Sequence, residues 1–204
     1  MIRYPLDAPE IVDALGEGLR SAGYSSEGID GLLGEETSQA LVGGVWWPAL
    51  RKTRRAPAEQ ASLATLIRLF LLGSTEPDDA VAAALPGIGV DALLDQQVIE
   101  KADGGVRAIL DIRPHGSDAA DYLVVADQDA SMRPGAVRHD HVLGIGGASM
   151  SLAQAVIRTP FGRALDVGTG CGVQALHMSS HCDEIVATDT NGRALALAAA
   201  TARL

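Results

Sequence analysis

The stretch Arg163-Ala164-Leu165-Asp166-Val167-Gly168-Thr169-Gly170-Cys171-Gly172-Val173-Gln174-Ala175-Leu176 decides the fold. Ala164 to Val167 is a short apolar run with the length and composition of a buried parallel strand. Gly168, Gly170 and Gly172 follow at alternate positions, and Val173 to Met178 resumes with helix formers. Strand, glycine turn and helix make the first half of a doubly wound nucleotide-binding unit. Without a Cβ, a glycine reaches positive φ and lets a ligand lie against bare backbone. The helix behind points its unsatisfied N–H groups and positive dipole end at the loop.

The spacing selects among ligands. A dinucleotide site uses G-x-G-x-x-G, with its third glycine inside the helix start. Here the order is Asp166-x-Gly168-x-Gly170-x-Gly172, with an acid at the carboxyl end of the strand. A carboxylate there repels a pyrophosphate and suits a ligand carrying a cation and an amino group, as S-adenosyl-L-methionine (SAM) does. Both features disfavour an NAD-dependent oxidoreductase. A second acid follows: Glu184 to Asp189 reads as the next strand, and Asp189 closes it. An acid about 20 positions beyond the glycine turn is placed to accept hydrogen bonds from two ribose hydroxyls. The competing reading is a tight connection in which the strand-end Asp caps a helix.

With these residues in place, Asp166 to Gly172 followed by Ala187-Thr188-Asp189-Thr190-Asn191 resembles the SAM signature of class I (Rossmann-like) methyltransferases. The wording is nearest to the bacterial branch of glutamine and rRNA-guanine N-methyltransferases. It is nearer still to actinobacterial methyltransferases with a helical, winged-helix-like domain ahead of the catalytic one. The resemblance implies that Asp166, Gly168, Gly170 and Gly172, with Thr169 and Cys171 between them, surround the methionine part. It implies that Asp189 holds the ribose, with Thr190 beside it. A looser likeness reaches back to His141 and makes Gly146, Gly147 and Ser149 second-rank ligand candidates; a flexible turn capped by Ser149 is the equal alternative.

The totals set limits. At 204 residues and 47% apolar, the chain has material for a globular α/β core; with 3% aromatics that core must be aliphatic. The net charge of −10 argues against a polyanion-binding surface as a whole but not against a local basic patch. Cys171 and Cys182 suggest no disulfide framework, which fits a cytoplasmic protein. The N-terminus shows no signal-peptide run, and the apolar stretch around Leu63 to Leu72 is broken by Thr65 and Arg68, so no membrane span is expected.

Three units are expected: an N-terminal helical, winged-helix-like α+β domain over 1–127, a polar linker over 128–140 turning at Pro134-Gly135, and the start of the SAM-binding domain over 141–204. Asp7-Ala8-Pro9-Glu10 reads as a capped helix start, with Ile11, Ala14, Leu15 and Leu19 on one face and Gly23 as the stop. Helices follow over Ser26–Leu33 and Glu36–Leu41. Val45 to Arg55 sets two tryptophans beside four cations, either a stacking and phosphate-binding element for RNA or core tryptophans beside a solvated loop. An amphipathic helix runs from Pro57 through Leu63, Leu66, Ile67, Phe70 and Leu71 to Gly73. Short helices over Asp78–Leu85 and Gly89–Asp95 and a hairpin of Val98–Lys101 with Val106–Ile112 complete a winged-helix outline. Its third helix carries Asp91 and Asp95 and no cation, so specific DNA reading is not expected. Asp121–Asp127 is a further strand, Met150–Ile157 a helix, and Asn191–Leu204 an alanine-rich helix.

No metal site is expected. His139, Asp140 and His141 are adjacent and cannot converge on one ion, and His177 and His181, on one helical face beside Cys182, read as a helix end rather than a half-site. The resemblance implies about seven strands, and the Asn-Pro-Pro-aromatic segment that grips the acceptor amine in relatives occurs nowhere in this sequence. The chain is therefore expected to be the N-terminal part of a longer protein. The expected function is methyl transfer from SAM to a nitrogen of RNA or protein, with no catalytic residue assignable. The alternative is a non-catalytic winged-helix-like binding module with a nucleotide-binding remnant.

Overall fold

The computed structural model describes residues 3–116, 121–130 and 136–204. The chain is mixed α/β, about 48% helix and 19% strand. Among the described residues the strands lie in three two-stranded sheets, and the helices supply most of the core.

Helix α1 (Pro9–Ser21) begins with Pro9 and buries Val12, Leu15 and Leu19, while Ile11 stays half-exposed. The expected Asp7 cap is not made. Asp7 turns instead toward Arg3, 3.4 Å away, which forks onto Asp95 at 2.7–2.8 Å. The start of α1 is tied down from a distance, the Ala8 amide donating to Gln96 Oε1. Gly23, at φ +72°, closes the helix as expected. Helices α2 (Ser26–Leu33) and α3 (Glu35–Val42) follow, and Ser25 caps α2 by accepting from the Gly28 amide. Of the cations beyond the tryptophans, Arg51 and Lys52 ride a helix, α4 (Trp47–Thr53), and Arg54 and Arg55 lie in the turn after it.

The amphipathic segment from Pro57 is three pieces: a 3₁₀ turn (Ala58–Gln60), α5 (Ala61–Leu66) and a π-helical turn (Ile67–Leu71). All five expected apolar residues are buried. The wider turn aims Arg68 at Glu76, which it grips at 2.7–2.8 Å, and at the Thr53 carbonyl. Helices α6 (Asp78–Ala84) and α7 (Val90–Asp95) lead to the antiparallel hairpin of β1 (Ile99–Ala102) and β2 (Gly105–Ala108). The run Val106–Ile112 is not one strand. It breaks at Ile109, whose amide turns back to the Val98 carbonyl, and β3 (Leu110–Gly116) pairs antiparallel with β4 (Asp121–Asp127).

Then come α8 (Gly147–Ala155), β5 (Phe161–Val167), α9 (Val173–Ser179), β6 (Cys182–Thr188) and α10 (Gly192–Arg203). Strands β5 and β6 pair in parallel with α9 between them, Leu165 opposite Val186. The expected burial of β5 is not observed: Leu165 is 61% and Val167 76% exposed.

One hydrophobic core runs from Leu6 to Ala200, across the expected boundary at 128–140. Gln128, at the head of that segment, is buried and donates to the carbonyls of Phe70 and Leu110; the Pro134-Gly135 turn lies outside the described residues. Helix α10 crosses onto the N-terminal part, with Thr201 Oγ1 accepting from the Val125 amide on β4 and Arg203 forking onto Asp13 on α1. Among the described residues, no helix is long and apolar enough to cross a membrane.

Candidate ligand cleft at the glycine loop

The loop after β5 is built from its own backbone. The amides of Gly168 and Thr169 both donate to the Thr188 carbonyl at 2.8–2.9 Å, which fastens the loop over the end of β6. All three glycines have positive φ, +74°, +56° and +87° along the chain. Their surroundings differ. A Cβ at Gly168 or Gly170 would meet nothing within 4 Å, whereas one at Gly172 would meet Ala198 on α10 at 3.3 Å. Gly172 therefore serves helix packing as well as the turn.

Beside the loop lies a cleft of about 630 Å³, within the range of small-molecule sites. Gly168, Thr169, Gly170, Cys171 and Asp189 line it from one side, and Gly146, Gly147 and Ser149 from the other. The remaining candidates do not line it: Asp166 is buried beneath the loop, Gly172 faces α10, and Thr190 is exposed. Sequence reasoning missed Gln174 and Asn191 and the exposed Leu143 and Leu152, which also line the cleft. Gln174 stands two residues past Gly172, in the first turn of α9, and that position was the available signal.

Both acids are engaged within the chain. Asp166 accepts from Thr169 Oγ1 at 2.7 Å. Asp189 accepts from the Gly170 amide at 3.0 Å and the Asn191 amide at 2.9 Å, joining loop to loop. Gln174 donates to the Ser149 carbonyl at 2.7 Å, while its Oε1 is buried without a partner. Asn191 caps α10 by accepting from the Arg193 amide and donates to the Asp140 carbonyl. Cys171 is buried, and burial pushes its thiol up to about 11, so it is a packing group rather than a thiolate nucleophile at neutral pH.

Behind the cleft sits a buried ion pair that the sequence did not disclose. Arg193, 3% exposed, forks onto Asp127 at the end of β4, and Asp127 also accepts from the Val142 amide. One carboxylate thus holds α10 and the segment that becomes the far wall of the cleft.

The histidines fall elsewhere. Helix α9 ends at Ser179, so His181 lies beyond it and shares no helical face with His177. His177 is buried against His115 of β3, Nε2 to Nε2 at 2.8 Å. His139 is exposed, and Asp140, held by Arg138, is drawn down to about 2. Among the described residues, no group of three or more His, Cys, Asp or Glu side chains is placed to hold a metal ion.

A family model described as a domain of unknown function (DUF7059) matches residues 21–109, short of every residue of the cleft. No curated protein matches the chain.

Proposed function

We propose that this chain carries the SAM-binding part of a Rossmann-like class I methyltransferase, behind a winged-helix-like domain of α5–α7 and the β1–β2 hairpin. The observation that carries this reading is the junction at Asp189. A parallel β–α–β unit sets a carboxylate against a glycine turn of three positive-φ residues, at the mouth of a cleft large enough for a nucleoside. Leu143 and Leu152 offer an exposed apolar lip for a heterocycle. When bound, SAM supplies a methyl group already activated on its sulfonium. The protein's work is to align the acceptor nitrogen and exclude water. The acceptor class is RNA or protein, and no base is assigned. The free thiols Cys171 and Cys182 fit a reducing compartment such as the cytoplasm.

A second reading rests on the same acids. Because Asp166 and Asp189 are both satisfied within the loop, the unit also suits a non-catalytic module with a nucleotide-binding remnant. Calorimetric titration with S-adenosylhomocysteine separates the two. Binding that Asp189→Ala weakens by about tenfold or more, the worth of one good hydrogen bond or two, supports the cofactor site. No binding by a folded sample favours the module.

A further inference from the structure

Helix α4 has two contrasting sides. Ala49, Leu50 and Thr53 are buried against the body of the protein, while Trp47, Arg51 and Lys52, with Arg54 and Arg55 in the turn that follows, face out. Trp47, Arg51 and Arg55 recur every four residues and line one groove of about 690 Å³. The groove has no carboxylate in its lining; its other walls include Leu32, Pro48, Pro57 and Gln60. Trp46 and Trp47 stack at a centroid distance of 4.4 Å and an angle of 22°, and Trp47 remains 64% exposed. One aromatic is braced by the other, with its surface left open.

The arginines set this place apart. The chain is acidic, with 26 Asp and Glu against 16 Lys and Arg, so cations readily find partners. Elsewhere among the described residues they do: Arg3, Arg68, Arg107, Arg113, Arg138, Arg163, Arg193 and Arg203 bond carboxylates, and Arg20 and Arg158 donate to carbonyls. Lys52 is also engaged, on the Leu33 carbonyl at the end of α2. Among the described residues, Arg51, Arg54 and Arg55 are the arginines with neither an ion pair nor a hydrogen bond from the side chain. Three unspent guanidiniums within five residues, beside a braced and open indole, match a ligand that alternates phosphates with flat rings.

We infer that this face of α4, with the turn that ends it, is a docking surface for single-stranded RNA, its phosphates on Arg51, Arg54 and Arg55 and a base stacked on Trp47. Unpaired bases are the ordinary state of RNA loops and ends, whereas a duplex hides the ring faces that Trp47 would meet. An acidic peptide would use the arginines but leaves the indole stack without a role. The inference narrows the acceptor class given above, and to that extent rests on the methyl-transfer reading. The surface itself shares no residue with the cleft.

The chain contains two tryptophans, both at this site, so their fluorescence reports it directly. Titration of the full chain with oligouridine of about 10 nucleotides, without SAM, should quench that fluorescence and raise the anisotropy of a labelled oligomer. Trp47→Ala should weaken binding about tenfold, the worth of one stacked base. The pair Arg51→Gln and Arg55→Gln should lower the slope of log K against log salt by about 1.4, two phosphate contacts at ~0.7 each. Arg163→Gln, an exposed arginine already paired with Glu184, should change neither. The inference is overturned by absence of binding, by binding that Trp47→Ala leaves intact, or by an unchanged salt slope. Equal or tighter binding of single-stranded DNA, an RNA duplex, polyglutamate or anionic lipid vesicles also overturns it. Because cofactor is absent from this titration, its failure and that of the S-adenosylhomocysteine titration are read separately.

Discussion

Two sheets of the same make-up behave in opposite ways. Strands β3 and β4, and strands β5 and β6, are seven residues each and carry comparable apolar runs. In the first pair Leu110, Ile112 and Val125 are fully buried; in the second Leu165, Val167 and Val186 are 61%, 76% and 38% exposed. The difference lies in what covers them. The π-turn packs on β3 and α10 on β4, whereas β5 and β6 are held mainly by each other and by α9. Apolar strand sequence states that burial is wanted, and only the neighbours decide whether it is obtained. The first sheet is therefore where stability resides, and the second is a platform for the glycine loop.

The largest test of that contrast is at the seam joining the two regions. Asp127→Ala leaves the buried Arg193 charge without its partner and should cost about 3–5 kcal/mol in urea unfolding, with replacement of both by Leu recovering much of it. An unchanged midpoint would mean the seam does not bind the regions together. Next, Leu110→Ala should cost about 2–5 kcal/mol, while Leu165→Ala should stay within about 0.5 kcal/mol. Equal costs would end the distinction between the sheets.

Within the platform, Gly172→Ala should lose about 1–2 kcal/mol from positive φ, plus the contact with Ala198. Gly170→Ala carries the backbone term alone, so it should be the milder of the two. The smallest effect is one of pH. Burial lowers the pKa of both His115 and His177; Asp121 opposes the shift at His115, while His115 and then Arg158 add to it at His177. With folded values below the unfolded value of about 6.5, the unfolded chain binds more protons in that window. Stability should therefore fall as pH drops from about 6.5 through the folded values and level off below them. His177→Leu should flatten that slope in thermal melts; a slope that survives would place its origin elsewhere.

What the sequence made legible was local. Ser26–Leu33 and Asp121–Asp127 lie where the local sequence puts them, and the buried face from Leu63 to Leu71 follows from helical spacing. The misses are long-range. Asp7 is a sound cap until Arg3 and Gln96 compete for its place, and the strand through Ile109 is continuous until Val98 takes its amide. Arg193 with Asp127 and His115 with His177 are pairs more than sixty residues apart, which no periodicity records. At the cleft, five of the eight primary candidates line the wall. Asp166, Gly172 and Thr190 do not, because spacing reveals a turn and not which of its side chains face outward.

Helix α10 is fastened near each end by an arginine on a carboxylate, Arg193 on Asp127 and Arg203 on Asp13. Ten residues advance a helix by nearly three turns, which leaves the two anchors about 80° apart around its axis. Two grips at different azimuths and heights fix a cylinder against both rolling and sliding. Asn191 and Ala194, at the lip of the cleft, are thereby set at one height and one angle before any ligand arrives.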